Sequence, residues 1–207
     1  MADVKRKNPA AAGGLSAVIW GAGQFYNGQR LKAVILFVCQ ICFVIISPHL
    51  FQGVKGLITL GEVERVTKGR KVIEQGDNSI LLMIMGLTWL FIMLVFLTVY
   101  FGQIMDAVKL ARQFNQAHFL PEGREWLKRV SHKGFPYAVL APTICLVLLF
   151  VVVPIIFGFL IAFTNYSVPN YVPPKHLVDW VGFTNFQDMF KLPMWNDTFW
   201  GVAVWTI

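Results

Sequence analysis

Apolar residues in this chain gather into long runs separated by shorter polar segments. Leu31–Phe51 is the first long run, about 31 Å at 1.5 Å per residue, enough to cross a hydrocarbon core of roughly 30 Å. Ser79–Phe101 is the second and contains no charged residue. Tyr137–Phe163 is the third, and eighteen of its residues are Leu, Ile, Val or Phe. That content is worth about 5 to 10 kcal/mol of insertion free energy. Pro142 and Pro154 lie inside it, where membrane helices tolerate proline with a kink. A fourth run, Phe199–Ile207, stops after nine residues and reads as the opening of a further span, with the chain a fragment or a truncated product.

The polar segments carry their own pattern. Leu15–Tyr26, interrupted by Gly21 and Gly23 and followed by Gly28, is too short to span and reads as a re-entrant or interfacial hairpin arm. Its leading apolar stretch, Leu15–Trp20, also falls short of the roughly 7 to 15 residues in the core of a cleaved signal peptide. Gln52–Asn78 reads as a mixed-charge loop. In the connector Gly102–Pro136, Ala107, Leu110, Ala111 and Phe114 recur at helical spacing and predict an amphipathic helix ended by Pro121. A second short helix is expected over Arg124–Val130, where Glu125 precedes Lys128 and Arg129 by three and four residues. Thr184–Phe190 predicts a short helix along the membrane surface.

Composition agrees with the runs: 56% of the 207 residues are hydrophobic and 14% charged, which sets the chain apart from soluble domains and from disordered ones. The net charge of +7 lies beside apolar runs, which points to membrane orientation and not to nucleic acid. Gly102–Pro136 holds six Lys or Arg and Thr164–Asp197 only two, which predicts the former cytoplasmic and the latter external. Alternation then puts Gln52–Asn78, with five basic residues among four acids, outside and the N-terminus inside.

A search for chemistry leaves little. No Gly-Lys-Ser/Thr phosphate loop occurs, His49, His118, His132 and His176 are scattered without metal-ligand spacing, and the spans contain no acid. Cys39 and Cys42 form a CxxC inside an apolar helix and are expected to be buried, inert thiols. Gln40, Thr88 and Thr143, polar residues within the spans, are assigned to helix packing or back-bonding. The Thr164–Asp197 loop differs: its Tyr and Trp residues alternate with Asn and Asp, as in an interfacial belt or a surface that docks a partner or a sugar.

In that loop the order of residues becomes specific. A proline-kinked span ending FGFLIAFTNYS, then LVDWVGFTNFQDMF and the start of another span, resembles the membrane permease subunit of bacterial ABC sugar importers. The likeness rests on Phe163–Tyr166 (FTNY) and on Trp180–Phe186 (WVGxxNF). The upstream GAGQFYNGQ hairpin and two spans are similar to the N-terminal extension of the larger, maltose/maltodextrin type. The resemblance implies an all-α polytopic membrane bundle, here the N-terminal part of that permease fold. Residues 1–30 would form the cytoplasmic N-terminus and hairpin arm, 31–101 two helices with an external loop, 102–136 a cytoplasmic amphipathic connector, and 137–207 the start of the transport core.

The implied partners are a second permease subunit, a cytoplasmic ABC ATPase that carries the ATP and Mg, an extracellular sugar-binding protein and the lipid bilayer. This chain itself would hold no cofactor, metal or catalytic residue. Asn165, Tyr166, Trp180, Phe183, Asn185 and Phe186 become candidates for the loop facing the binding protein, while no substrate-contact residue is carried over. The competing reading is a non-transporting membrane anchor or assembly protein that holds a cytoplasmic partner through its amphipathic segment, residues 102–130.

Overall fold

The computed structural model describes residues 6–69, 71–117 and 124–206. Among them occur α1 (Pro9–Val18), α2 (Ala22–Tyr26), α3 (Arg30–Thr59), α4 (Ser79–Ala117), α5 (Arg124–Val147), α6 (Val153–Ile161), α7 (Thr184–Lys191) and α8 (Pro193–Thr206). A small antiparallel hairpin, β1 (Val66–Lys68) and β2 (Lys71–Glu74), joins α3 to α4. Three helical stretches are long and apolar enough to cross a membrane, Arg30–Thr59, Ser79–Gln116 and Phe135–Ile161. The fold is that of an all-α, polytopic membrane protein.

The first two stretches outrun the apolar runs that predict them, while the third is offset, ending at Ile161, two residues before its run does. α3 continues to Thr59, so the first eight residues of the expected loop Gln52–Asn78 are helical. Small residues allow this: a Cβ on Gly86 would come within 2.7 Å of the Gly53 carbonyl oxygen, so glycine lets the two helices approach backbone to backbone. α4 has 39 residues, about 58 Å, and the amphipathic stretch Ala107–Phe114 is its C-terminal end and not a separate helix. The short helix expected at Arg124–Val130 is likewise the start of α5, which passes through Pro136 and Pro142. Pro121, expected to end the amphipathic helix, lies outside the described residues. α8 begins at Pro193, six residues before the apolar run that announced it.

Between α5 and α6 the chain makes a π-helical turn, Leu148–Val152. Pro154 follows it, at the start of α6. Proline has no N–H to donate one turn back to Phe150 and its ring crowds that carbonyl, and the wider turn accommodates both.

The chain divides into two compact units, Met1–Phe51 with Trp89–Leu146, and Gln52–Thr88 with Val147–Ile207. In the first, α1 and α2 form a hairpin folded onto α4. Asn8 caps α1, its Oδ1 accepting from Ala10 N at 2.9 Å. Gly21, at φ 86°, makes the reversal, and a Cβ there would strike the backbone of Ala33. Gly23 is hemmed in by Ala12, Ser16 and Ala107, while Ala12, Ala107 and Ala111 form a fully buried cluster.

The break between α1 and α2 strips backbone groups of helical partners, and side chains from α3 and α4 replace them. Trp20 N–H donates to Gln40 Oε1 at 3.0 Å, and Gln40 Nε2 donates to Val18 O at 3.3 Å. Tyr100 O–H reaches Ala17 O at 3.2 Å, and Gln103 Nε2 reaches Ser16 O at 2.6 Å. Gln24, fully buried, donates to Gln103 O at 2.7 Å and to Asp106 Oδ2 at 3.0 Å. The other oxygen of Asp106 pairs with Lys32 Nζ at 2.6 Å, tying the start of α3 to α4. Trp20 is buried among Phe43, Phe96 and Tyr100, with ring centroids at 5.9, 6.5 and 5.7 Å.

Two polar residues thus meet their expectation by different routes: Gln40 holds the hairpin, and Thr88 Oγ1 bonds back to Ile84 O at 2.9 Å. The thiols do not meet theirs. Cys39 is half-buried and Cys42 exposed on the apolar surface of α3, because the hairpin covers only one side of that helix. The apolar face at Ala107, Leu110 and Ala111, offered by sequence as a partner surface, is already buried. At its far end Lys7 lies 4.6 Å above the Phe114 ring, and partial burial lowers the pKa of its ammonium.

Replacing Gln40 or Gln103 by Leu leaves a backbone donor and acceptor at the hairpin tip unpaired, at about 1 to 3 kcal/mol per group. The melting temperature in detergent is expected to fall for Gln40→Leu and Gln103→Leu and to stay near the parent's for Thr88→Val, which removes only a back-bond. Equal melting temperatures for all three variants would contradict the capping role.

Candidate functional site

The second unit brings the candidate loop together with segments that sequence reading treated separately. α6 ends as Phe163 N and Thr164 N bond back to Leu160 O and Ile161 O, both at 3.0 Å. Thr164 is buried, and its hydroxyl caps the same turn by donating to Ile161 O at 2.8 Å. From there the chain loops out and returns: Thr164 bridges Trp180 antiparallel, and Val181 N donates to Phe163 O at 2.9 Å. α7 then starts at Thr184.

Of the six candidate residues, the two asparagines hold the loop closed. Asn165 N donates to Asp179 O at 3.1 Å, and Asn165 Oδ1 accepts from Asp179 N at 2.8 Å. Asn185 Nδ2 donates to Ala162 O at 2.9 Å and to Thr164 O at 2.7 Å, so one amide fastens α7 to the end of α6. Phe186 packs inward on Phe163, ring centroids 5.3 Å apart. Phe183 meets Phe163 edge-on at 5.3 Å yet keeps 67% of its surface exposed. Tyr166 and Trp180 are each 39% exposed. The open surface is therefore Tyr166, Trp180 and Phe183, carried on a frame built by Asn165, Asn185 and Phe186.

The frame is anchored to the ends of α3 and α4. Trp180 Nε1 donates to Ile58 O at 3.0 Å, and Val178 N donates to Ser79 Oγ, also at 3.0 Å. Val178, Leu60 and Met83 are fully buried together, with Phe157, Leu160 and Ile161 packed on them. The segment between α3 and α4 joins in, since Arg65 N donates to Pro174 O at 3.1 Å. Asp77 holds that segment in shape, its Oδ2 accepting from Glu62 N at 2.8 Å and Val63 N at 3.1 Å. Leu60, Asp77, Ser79 and Val178 were not singled out from sequence. Their partners lie about 15 to 120 positions away, and no local spacing marks them.

No group of three or more His, Cys, Asp or Glu side chains that could hold a metal occurs among the described residues. What the site offers is aromatic surface on a hydrogen-bonded frame, suited to contact.

Fold and site together define a polytopic α-helical membrane protein with a folded aromatic loop structure. The chain is 34% identical over 195 residues to the galactooligosaccharides transport system permease protein GanP of Bacillus subtilis, covering 93% of this chain and 44% of that protein. It is 33% identical over 211 residues to the maltodextrin transport system permease protein MalC of Streptococcus pneumoniae, 99% of this chain and 45% of the relative. With the maltodextrin transport system permease protein MdxF of Bacillus subtilis it shares 30% over 201 residues, 94% and 42% respectively. The chain is thus homologous to permease proteins of bacterial sugar-transport systems. It spans a little under half the length of the curated relatives it matches. No protein-family model and no solved structure matches it.

Asn185→Ala removes both bonds that fasten α7 to the end of α6, at roughly 1 to 2 kcal/mol for a partly exposed pair. Trypsin is expected to cut at the exposed Lys175 several times faster in this variant than in the parent. An unchanged cleavage rate would remove Asn185 from the frame.

Proposed function

We propose that the chain is the N-terminal part of a permease subunit in an ATP-driven importer of oligosaccharides of the maltodextrin or galactooligosaccharide class. The observation that carries this reading is the similarity over 93 to 99% of the chain to permease proteins named for those sugars. In this reading the N-terminus and the Gly102–Pro136 connector are cytoplasmic, supported by six Lys or Arg in the connector against two in Thr164–Asp197. Residues 1–30 are then the cytoplasmic N-terminus and a re-entrant or interfacial hairpin arm, and 137–207 begins the transport core.

The complex would contain a second permease subunit, a cytoplasmic ABC ATPase that binds ATP and Mg, and an extracellular sugar-binding protein. Tyr166, Trp180 and Phe183 would face that binding protein. Alternation between inward and outward states requires the ATPase to bind the two states with different affinity, since only a differential interaction shifts the equilibrium. The anchor reading loses support, because the apolar face at Ala107, Leu110 and Ala111 is occupied by the hairpin.

Uptake of labelled maltodextrin and galactooligosaccharide tests the proposal in a strain lacking the full-length gene. Uptake of at least one sugar is expected to disappear and to return with the restored gene; full uptake without the gene would refute the reading. In the complemented strain, the double variant Tyr166→Asp with Phe183→Asp is expected to lower uptake while the permease still copurifies with its ATPase. Parental uptake in that variant would remove these rings from the docking surface.

A further inference from the structure

The β1–β2 hairpin between α3 and α4 separates its charges. The acids of this segment, Glu62, Glu64, Glu74 and Asp77, flank the strands at the base, while Lys68, Arg70 and Lys71 fall within four positions of one another. The base is closed by contacts of its own. Glu62 pairs with Lys55 at 2.8 Å, Asp77 N donates to Val63 O at 2.7 Å, and a Cβ on Gly76 would strike the backbone of Arg65. The strands have no such support. Every described residue of β1 and β2 is exposed, and a two-stranded hairpin without a surface to pack on is marginal in water.

The register makes the tip unfavourable by itself. Lys68 pairs directly with Lys71, and like charges opposite each other in an antiparallel pair repel, their Cβ atoms lying about 5 Å apart. Neither lysine forms an ion pair among the described residues. Strand alternation puts Val66 and Ile73 on the face that carries these two lysines, and Thr67 with Val72 on the other. The bulge beside Val66 leaves Ile73 without a cross-strand partner, and the two side chains are 47% and 64% exposed. One face thus joins a pair of cations lacking an anion to two apolar side chains lacking cover, about 7 Å apart along the strands.

We infer that this face docks on the membrane itself, Lys68 and Lys71 closing on the phosphate of an anionic phospholipid while Val66 and Ile73 rest at the boundary of its acyl chains. Position argues for lipid over a soluble acidic protein. β1 begins seven residues after α3 ends and β2 stops five before α4 begins, so the hairpin stays beside the ends of two spans. An anion between the two ammoniums removes their repulsion, and two lysines at a charged bilayer surface strengthen binding roughly tenfold or more. The inference rests on the membrane-spanning fold and holds on either side of the bilayer, with or without the transport reading.

Amide hydrogen exchange of the full-length protein tests it, in liposomes of phosphatidylcholine alone and of phosphatidylcholine mixed with phosphatidylglycerol. Amides of residues 66–73 are expected to exchange roughly tenfold more slowly when phosphatidylglycerol is present. Lys68→Gln combined with Lys71→Gln should abolish that difference, yet exchange no faster than the parent in phosphatidylcholine, because the double change removes a repulsion. Equal exchange of the parent in the two membranes, a lipid difference that survives the double variant, or faster exchange of that variant in phosphatidylcholine would overturn the assignment. A photoreactive residue in place of Ile73, with both lysines kept, should capture phospholipid. Capture of polypeptide there would give the face to a protein partner and overturn the assignment as well.

Discussion

A chain that breaks its helix beside apolar surface must find partners for the backbone groups the break exposes, because neither lipid nor apolar side chains supply them. The turn between α1 and α2 is such a break. The carbonyls of Ser16, Ala17 and Val18 and the N–H groups of Trp20 and Gly21 are met by Gln40 from α3 and by Tyr100 and Gln103 from α4. Much else in the first unit follows from this constraint. The hairpin must lie where both helices can reach it, so glycine is needed at position 23, where Ala12 and Ala107 leave no room for a side chain. The same close approach lets Gln24 reach Asp106, and through it Lys32, so α3 and α4 are bound to each other as well as to the arm.

The second unit solves the same problem with other means. The carbonyls at the end of α6 are taken up by the amide of Asn185 and by backbone returning from Val181 and Gly182. The N-terminus of α4 lends Ser79 to the loop, and α3 lends the carbonyl of Ile58. Polar groups at helix ends here serve as connectors between segments. The aromatic residues left over, Tyr166, Trp180 and Phe183, are therefore displayed on a fixed frame, the condition for a surface that recognises a partner without first paying to order itself.

What could be read in advance divides along physical lines. The three spans were legible because insertion depends on summed apolar content, which needs no knowledge of neighbours. Their true lengths were not, because Gln52–Thr59 and Gly102–Ala117 are held helical by contacts with Leu82, Gly86 and the hairpin. The reversal at Gly21 was visible as a glycine signal, yet its partners were not, since Gln40 and Gln103 lie about 20 and 80 residues on. Among the loop candidates, residue type marked all six alike. Only geometry separates Asn165 and Asn185, whose amides are used internally, from Tyr166 and Phe183, whose rings stay open.

The central claim is that side chains from α3 and α4 satisfy the backbone at the hairpin tip. Amide hydrogen exchange of the full-length protein in nanodiscs measures this directly at Trp20. The account predicts that the Trp20 amide, bonded to Gln40, exchanges as slowly as amides within α3. Exchange at the rate of an open chain would mean that the tip is not held by Gln40, and the account of the first unit would fail.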